Sequence, residues 1–203
     1  MIIHDVEQNS EEWLKLRSGM PTASCFSKLV TSKGEPSKSM QGYAQTLAGE
    51  LYAGHPLDSW QGNIYTDRGH ELEDEAALAY EMRGPEVNTI GFVTDNDCMY
   101  GCSPDRTVGD DGLIEIKCLP KAHISVLMHF DKHGKVPSDY VVQPQGQMLV
   151  TGRAWCDLVF YQPDLPMLVV RQEPDVKIMA GLRDQLQAVL AERDRVMRVL
   201  EGY

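Results

Sequence analysis

Hydrophobic residues recur every three or four positions in several parts of the chain, which is the spacing typical of amphipathic helices. Such helices are predicted from Ser10 to Gly19, after a candidate cap at Thr22-Ala23-Ser24, from Ser39 to Leu51, from about Asp67 to Met82, from about Ser138 to Val150 and from Pro174 onwards. Pro144 falls inside the fifth of these helices, so that helix should bend there or begin later than the pattern indicates.

Between residues 88 and 118 the pattern changes to short β-rich runs separated by turn residues. Strands are predicted at 88–94, 99–103, 106–108 and 113–118, and Asp110-Asp111-Gly112 predicts a hairpin turn between the last two. Two further strands are predicted at 155–162 and 167–172. This order of elements predicts an α/β or α+β fold in which helices flank a central mixed β-sheet.

The 203 residues are enough for one domain, and no Ser/Gly/Pro-rich run marks a linker, so we expect a single domain over residues 1–203. No apolar run approaches the roughly 20 residues that span a membrane, and the N-terminus has no signal-peptide pattern. A cytoplasmic protein is expected. The five cysteines show no paired C-x-x-C motifs and are expected to be reduced thiols. His123, His129 and His133 are expected in a polar connection.

A formal net charge of −11 argues against a protein that coats nucleic acid by bulk electrostatics. It does not exclude an enzyme that contacts phosphate locally, because a metal-dependent nuclease carries several carboxylates and its metal ions reverse the local sign of charge.

The stretch that indicates chemistry is Ser103-Pro104-Asp105 followed by Glu115-Ile116-Lys117. As a hairpin it brings Asp105 near Glu115, and strand alternation places Glu115 and Lys117 on one face. Two carboxylates beside an ammonium suit Mg²⁺, which prefers hard oxygen ligands. The pattern resembles that of PD-(D/E)xK nucleases. The alternative is a half-exposed strand whose charged residues are simply solvated.

Glu73 is a second candidate, on the helix predicted from Asp67. It shares a helical face with Ala76, Ala77 and Tyr80. A carboxylate on a buried face is costly unless it is paired or binds a cation. Glu73 is therefore either a metal ligand or the partner of a structural salt bridge.

Four segments resemble the YqaJ-type viral recombinase family of PD-(D/E)xK nucleases, and they occur in the order found in that family. They are Trp13–Arg17 through Thr22-Ala23-Ser24, Arg68-Gly69-His70-Glu71-Leu72-Glu73, Cys102–Asp105 through Glu115–Cys118, and Tyr140–Gln143 with Gln145 and Gln147. The resemblance covers residues 13 to about 150 and implies a restriction-endonuclease-like core.

The resemblance also implies a role for each site residue. Metal ions would be held by Asp105, Glu115, the backbone carbonyl of Ile116, Glu73 and Asp95. Lys117 would position or activate the attacking water, and Gln143 matches the active-site glutamine of the family. A terminal 5′-phosphate would be held by Arg17, Ser24 and Ser103; a guanidinium with two hydroxyls is chemically suited to a phosphate. From pattern alone, however, Ser24 reads as a helix-start residue and Arg17 as a surface charge.

The implied function is a Mg²⁺-dependent 5′-to-3′ exonuclease, with Mn²⁺ able to substitute and two ions per site. It would act on linear duplex DNA, release 5′-mononucleotides and leave 3′ tails for strand annealing. The implied partners are DNA ends, two further copies in a toroidal trimer and a single-strand annealing protein, with no membrane. Two alternatives remain open: a PD-(D/E)xK endonuclease or junction resolvase, and a non-enzymatic metal- or DNA-binding module.

Overall fold

The computed structural model describes the backbone of residues 1–57 and 64–203 and the side chains of residues 1–57 and 72–203. Its helices are α1 (Glu11–Arg17), α2 (Met40–Ala53), α3 (Ile64–Glu81), α4 (His123–His133), α5 (Val142–Thr151) and α6 (Val176–Leu200), with 3₁₀ turns at Ala23–Lys28 and Ser138–Tyr140. Its strands are β1 (Ile2–His4), β2 (Val87–Asn88), β3 (Phe92–Thr94), β4 (Gly101–Cys102), β5 (Arg106–Val108), β6 (Gly112–Cys118), β7 (Trp155–Tyr161) and β8 (Leu168–Gln172).

The strands form two sheets. The larger has the order β2-β5-β6-β7-β8, and β6 and β7 pair in parallel while the other neighbours are antiparallel. The smaller has the order β1-β3-β4 and is antiparallel throughout. The predicted fold class, a mixed sheet flanked by helices, is confirmed.

The two faces of the larger sheet are covered by different helices. On one face, Ile114, Ile116 and Val159 pack against Ala76, Ala77 and Tyr80 of α3. On the other face, Leu113 and Cys156 pack against Met148 of α5 and Met179 of α6. Because side chains alternate along β6, Glu115 and Lys117 lie on the face that α5 covers, as the sequence predicts.

Pro144 does not bend its helix. The helix predicted from Ser138 is a 3₁₀ turn followed by α5, which begins only at Val142. Pro144 is therefore the third residue of the helix. The first N–H groups of a helix have no intrahelical acceptor, so proline removes no hydrogen bond there. Of the two outcomes the sequence allows, the misplaced boundary is the one found.

Three elements differ from the sequence prediction. The strand predicted at 88–94 is two strands, β2 in the larger sheet and β3 in the smaller. Strand β1 was not predicted, because Ile2 and Ile3 are too few to show a period and their partner strand β3 lies some 90 residues away. The expectation that His123, His129 and His133 lie in a polar connection is wrong, since all three belong to α4. His123 is fully buried and its Nε2 lies 2.9 Å from the Pro166 carbonyl oxygen.

None of the helices in the described ranges is long and apolar enough to span a membrane.

Candidate active site

The β5–β6 hairpin brings Asp105 to the middle of β6. Asp105 directly precedes β5, and the register pairs Arg106 with Ile114. The three-residue turn between the strands begins with Gly109 at a φ of 50°, a conformation that glycine adopts readily. As a result the Asp105 carboxylate accepts a hydrogen bond of 2.5 Å from the backbone N–H of Ile116. The predicted approach of Asp105 to the Glu115-Ile116-Lys117 segment is present.

Glu115 is a buried carboxylate, 3% exposed, with a donor on each of its oxygens. Its Oε1 accepts from Lys117 Nζ and from Gln143 Nε2, both at 2.6 Å. Its Oε2 accepts from Gln147 Nε2 at 2.5 Å. Lys117 also donates to Gln143 Oε1 at 3.1 Å, so Glu115, Lys117 and Gln143 form a closed triangle. The structure thus brings Gln143 to the two β6 residues.

The site carries more negative than positive charge. Burial raises the pKa of Asp105 well above its ordinary value, and the charges of Glu115 and Glu73 raise it further. Burial lowers the pKa of Lys117, but the charge and hydrogen bond of Glu115 outweigh burial and leave that pKa raised. Lys117 is therefore an ammonium at neutral pH, a fixed cation rather than a free base.

Glu73 reaches this group from the opposite face of the sheet. It lies on α3, whose neighbouring residues pack on Ile114 and Ile116. Glu73, Asp74, Asp105 and Arg106 line one cavity of about 560 Å³, and Arg106 forms an ion pair with Asp74 across it. The upstream part of the predicted motif, Arg68-Gly69-His70-Glu71, lies outside the described side chains.

The donor set of the site suits a divalent cation although it is not closed into a ligand cage. No three His, Cys, Asp or Glu side chains converge to metal-binding distances among the described residues. Burial nevertheless raises the pKa of Asp105, and the nearby charges of Glu115 and Glu73 raise it further. Three hard oxygen donors with a single lysine to offset them match what Mg²⁺ or Mn²⁺ prefers.

Asp95 makes its described hydrogen bonds within a turn. Its Oδ1 accepts from the backbone N–H groups of Met99 at 2.6 Å and Tyr100 at 3.2 Å, in the turn between β3 and β4. Short acidic side chains commonly cap turns in this way. The geometry gives Asp95 a structural task and lends no support to its predicted role as a metal ligand.

The three residues predicted to hold a 5′-phosphate meet around Trp13. The guanidinium of Arg17 lies 3.8 Å from the centre of the Trp13 ring, and Trp13 Nε1 donates to Ser103 Oγ at 2.8 Å. Arg17 Nη2 lies 3.5 Å from both Ser24 Oγ and Thr22 Oγ1, at the outer limit of a hydrogen bond. Guanidinium and hydroxyl groups thus cluster near the β4–β5 connection that carries Asp105.

A pocket of about 360 Å³ opens beside this cluster, lined among others by Trp13, Arg17, Thr22, Lys28 and Tyr43. The Tyr43 hydroxyl accepts from the Thr22 backbone N–H at 3.2 Å, which fixes the loop that carries Thr22 and Ser24. Lys28 adds a second cation, 5.0 Å from the centre of the Tyr43 ring.

Two site residues had no assigned role in the sequence prediction. Trp13 and Gln147 both lie inside segments that carried the resemblance, yet their contacts run to Ser103 and Glu115, 90 and 32 residues away. Helical spacing does place Gln147 four residues after Gln143 on one face of α5, and this is the signal that could have identified it.

Comparison with known proteins is informative at the level of family and fold. The YqaJ-like viral recombinase domain matches residues 12–154. The crystal structure of an alkaline exonuclease (LHK-Exo) from Laribacter hongkongensis is 34% identical with a TM-score of 0.81, and 95% of this chain and 97% of that chain are covered. The same values hold for LHK-Exo in complex with dAMP. A phage-related exonuclease from Haemophilus somnus 129PT is 16% identical, with a TM-score of 0.69 and coverage of 89% and 96%; it shows the fold alone. Comparison with curated proteins gives no match.

Proposed function

The chain belongs to the YqaJ-like viral recombinase domain family, and from that premise we propose that it is a divalent-metal-dependent DNA exonuclease. We propose further that Mg²⁺ is the ion, that digestion runs 5′ to 3′ on linear duplex DNA and that 5′-mononucleotides are released. The observation that carries the proposal is the Asp105, Glu115, Lys117 and Gln143 cluster beside Glu73, in a chain 34% identical to an alkaline exonuclease.

Each residue of the cluster has a task that follows from its contacts. Asp105 and Glu115 would hold the cation, with Glu73 and the Ile116 carbonyl as further ligands; when bound, the ion lowers the pKa of water and offsets charge on the phosphate. Lys117, held as an ammonium, can orient a water or a phosphate oxygen as a hydrogen-bond donor. Gln143 bridges Lys117 and Glu115 and so fixes the direction of the lysine.

The Arg17 cluster would recognise the DNA end. A terminal 5′-phosphate carries more charge than an internal phosphodiester and offers more free acceptors. Arg17, Ser24 and Ser103 supply donors for those acceptors, and the stacking of Arg17 on Trp13 holds its guanidinium in place. This arrangement favours an enzyme that starts at ends over one that cuts within a strand.

The assembly and the partners are proposed from the family resemblance. A ring of three copies around the duplex would retain DNA through the groups that line its channel, which is compatible with a net charge of −11 on the chain as a whole. The 3′ tail left behind would be the substrate of a single-strand annealing protein.

The deciding experiment compares linear duplex DNA bearing 5′-phosphates with the same DNA as a covalently closed circle, each with Mg²⁺. We expect mononucleotides from the linear DNA only, and no release by Lys117→Ala. A third substrate, linear DNA with 5′-hydroxyl ends, tests the Arg17 cluster. It should be degraded more slowly by the wild type but at the same rate as phosphorylated DNA by Arg17→Ala.

Other outcomes would reassign the site. Cutting of the closed circle would make the protein an endonuclease on the same fold. Unchanged activity in Lys117→Ala would remove Lys117 from the chemistry. If neither DNA were degraded with Mg²⁺ or Mn²⁺, the carboxylates would have to be structural.

A further inference from the structure

Two buried glutamines lie close together on α5 and make entirely different contacts. Gln145 is 2% exposed and Gln147 is 1% exposed. Gln145 fixes the start of α6: its Nε2 donates to the Glu173 carbonyl at 2.8 Å, and its Oε1 accepts from the Asp175 N–H at 2.7 Å. Gln147 donates instead to Glu115. Gln145 therefore stabilises the junction between β8 and α6, and Gln147 contacts the candidate active site.

Gln147 is the described donor to the inner oxygen of the Glu115 carboxylate. The other oxygen is shared by Lys117 and Gln143, which are only partly buried and also bond each other. Gln147, by contrast, is 1% exposed and lies between α5 and the sheet, where it donates to Oε2.

The orientation of the Gln147 amide is itself determined. Its Nε2 faces Glu115, because a carboxylate only accepts, and its Oε1 accepts from the thiol of Cys156 with an Sγ–O distance of 3.7 Å. Cys156 is fully buried on β7, and burial raises the pKa of its thiol well above the ordinary value. The thiol therefore remains a donor. An amide turned the other way would direct its oxygen at the carboxylate and repel it.

We propose that Gln147 is a positioning residue, oriented by Cys156, that keeps the Glu115 carboxylate directed at a divalent cation. The inference rests on the proposed function of the same site. Groups that hold a ligand from behind fix its direction, and their loss commonly weakens metal affinity or activity by about 10- to 100-fold. Gln143 cannot substitute for it, since it contacts the opposite oxygen.

The test compares Gln147→Met with the matched control Gln145→Met. Methionine keeps the unbranched shape and removes the amide in both. Mg²⁺ affinity is measured by calorimetry without DNA, together with kcat and KM on linear duplex DNA and the melting temperature. For Gln147→Met we expect Mg²⁺ binding about 10- to 100-fold weaker and a lower kcat with an unchanged KM for DNA. For Gln145→Met we expect a lower melting temperature with unchanged Mg²⁺ affinity.

A second pair of variants covers the case in which Gln147→Met does not fold. Cys156→Ala removes the thiol that bonds the Gln147 amide oxygen, so Mg²⁺ affinity should fall in the same direction by a smaller factor. Cys156→Ser keeps a donor and should retain the wild-type affinity. Wild-type Mg²⁺ affinity in Gln147→Met, or an equal loss in Gln145→Met, overturns the inference and leaves the proposed function standing. A wild-type protein that neither binds Mg²⁺ nor degrades DNA overturns both.

Discussion

Two buried carboxylates lie on neighbouring parallel strands, and they differ in how far nearby positive groups compensate their charge. Glu115 of β6 and Asp157 of β7 are each 3% exposed. The register aligns Asp157 with Ile114, so the two acids project from opposite faces of one sheet. Each has lost its water and must find compensation from the protein.

Asp157 is fully compensated. Arg171 donates to its two oxygens at 2.8 and 2.9 Å, and the Tyr80 hydroxyl donates to Oδ2 at 2.7 Å. The guanidinium of Arg171 lies 3.6 Å from the centre of the Trp155 ring, which holds it in place. One negative charge meets one positive charge in a bidentate pair, and no demand for a cation remains.

Both oxygens of Glu115 accept hydrogen bonds, but the negative charge around it is not fully compensated. Lys117 is the one cation bonded to it among the described contacts, and Asp105 and Glu73 lie close enough for their charges to act on one another. A surplus of buried negative charge is unfavourable without a bound cation. The comparison shows why burial of an acid does not by itself indicate function. What distinguishes the two sites is the uncompensated charge and the adjoining cavity.

The largest expected effect comes from Glu115→Gln, which should lower exonuclease activity on the order of 10³-fold or more, because a ligand is lost from the reacting centre. Without metal, its melting temperature should change little, because relief of repulsion with Asp105 offsets the lost ion pair with Lys117. Activity assays and thermal melts with a chelator measure the two quantities. A large loss of stability with activity retained would mean that Glu115 and Asp157 are alike.

Arg171→Met tests the other carboxylate. It leaves Asp157 buried without its cation, while the methionine can still cover Trp155. Breaking a buried pair costs up to about 3–5 kcal/mol, but half of the Arg171 side chain is exposed, so we expect about 2 kcal/mol. Urea unfolding gives this value, and the activity of the folded fraction should equal that of the wild type. Reduced activity in the folded fraction would couple the two faces of the sheet.

Tyr80→Phe removes one hydrogen bond to Asp157 and keeps the ring packed against the sheet. A hydrogen bond to a charged acceptor contributes about 1.5 kcal/mol, and we expect a destabilisation of that size with no change in activity. The control is Tyr161→Phe, whose hydroxyl bonds the exposed Glu75 and should contribute less. An equal effect of the two variants would show that burial of the acceptor is unimportant here.

The smallest effect concerns pH. Burial, with the hydrogen bond to Asp157, raises the pKa of Tyr80 above its ordinary value of 10.0. The folded state therefore favours the protonated hydroxyl, and this contribution is complete below pH 10 and lost as pH rises toward the folded pKa. The stability advantage of the wild type over Tyr80→Phe should be constant to about pH 10 and then shrink by up to about 1.4 kcal/mol per pH unit. Urea unfolding between pH 8 and 11 measures it; an advantage that grows would contradict the shift.

The sequence by itself determined those features of this protein that depend on residues close together along the chain. The two-residue alternation of β6 places Glu115 and Lys117 on one face. The hairpin turn, predicted at residues 110–112 and found at 109–111, brings Asp105 beside them. Helical periodicity predicted α2, α3 and α6 to within a few residues. The motif around these elements predicted the family. Strand alternation and turn geometry depend on fewer than fifteen consecutive residues, so they can be predicted from the sequence before the fold is known.

Only the tertiary structure decided how each charge is compensated. Sequence pattern could not show that Trp13 joins Arg17 to Ser103, that Gln147 rather than Gln145 bonds Glu115, or that Asp95 caps a turn. It gave no indication of the Asp157 ion pair with Arg171, although both residues lie in correctly predicted strands. The free-energy cost of burying a charge depends on which hydrogen-bond donors the folded chain brings within about 3 Å of it. Those donors come from residues distant in sequence.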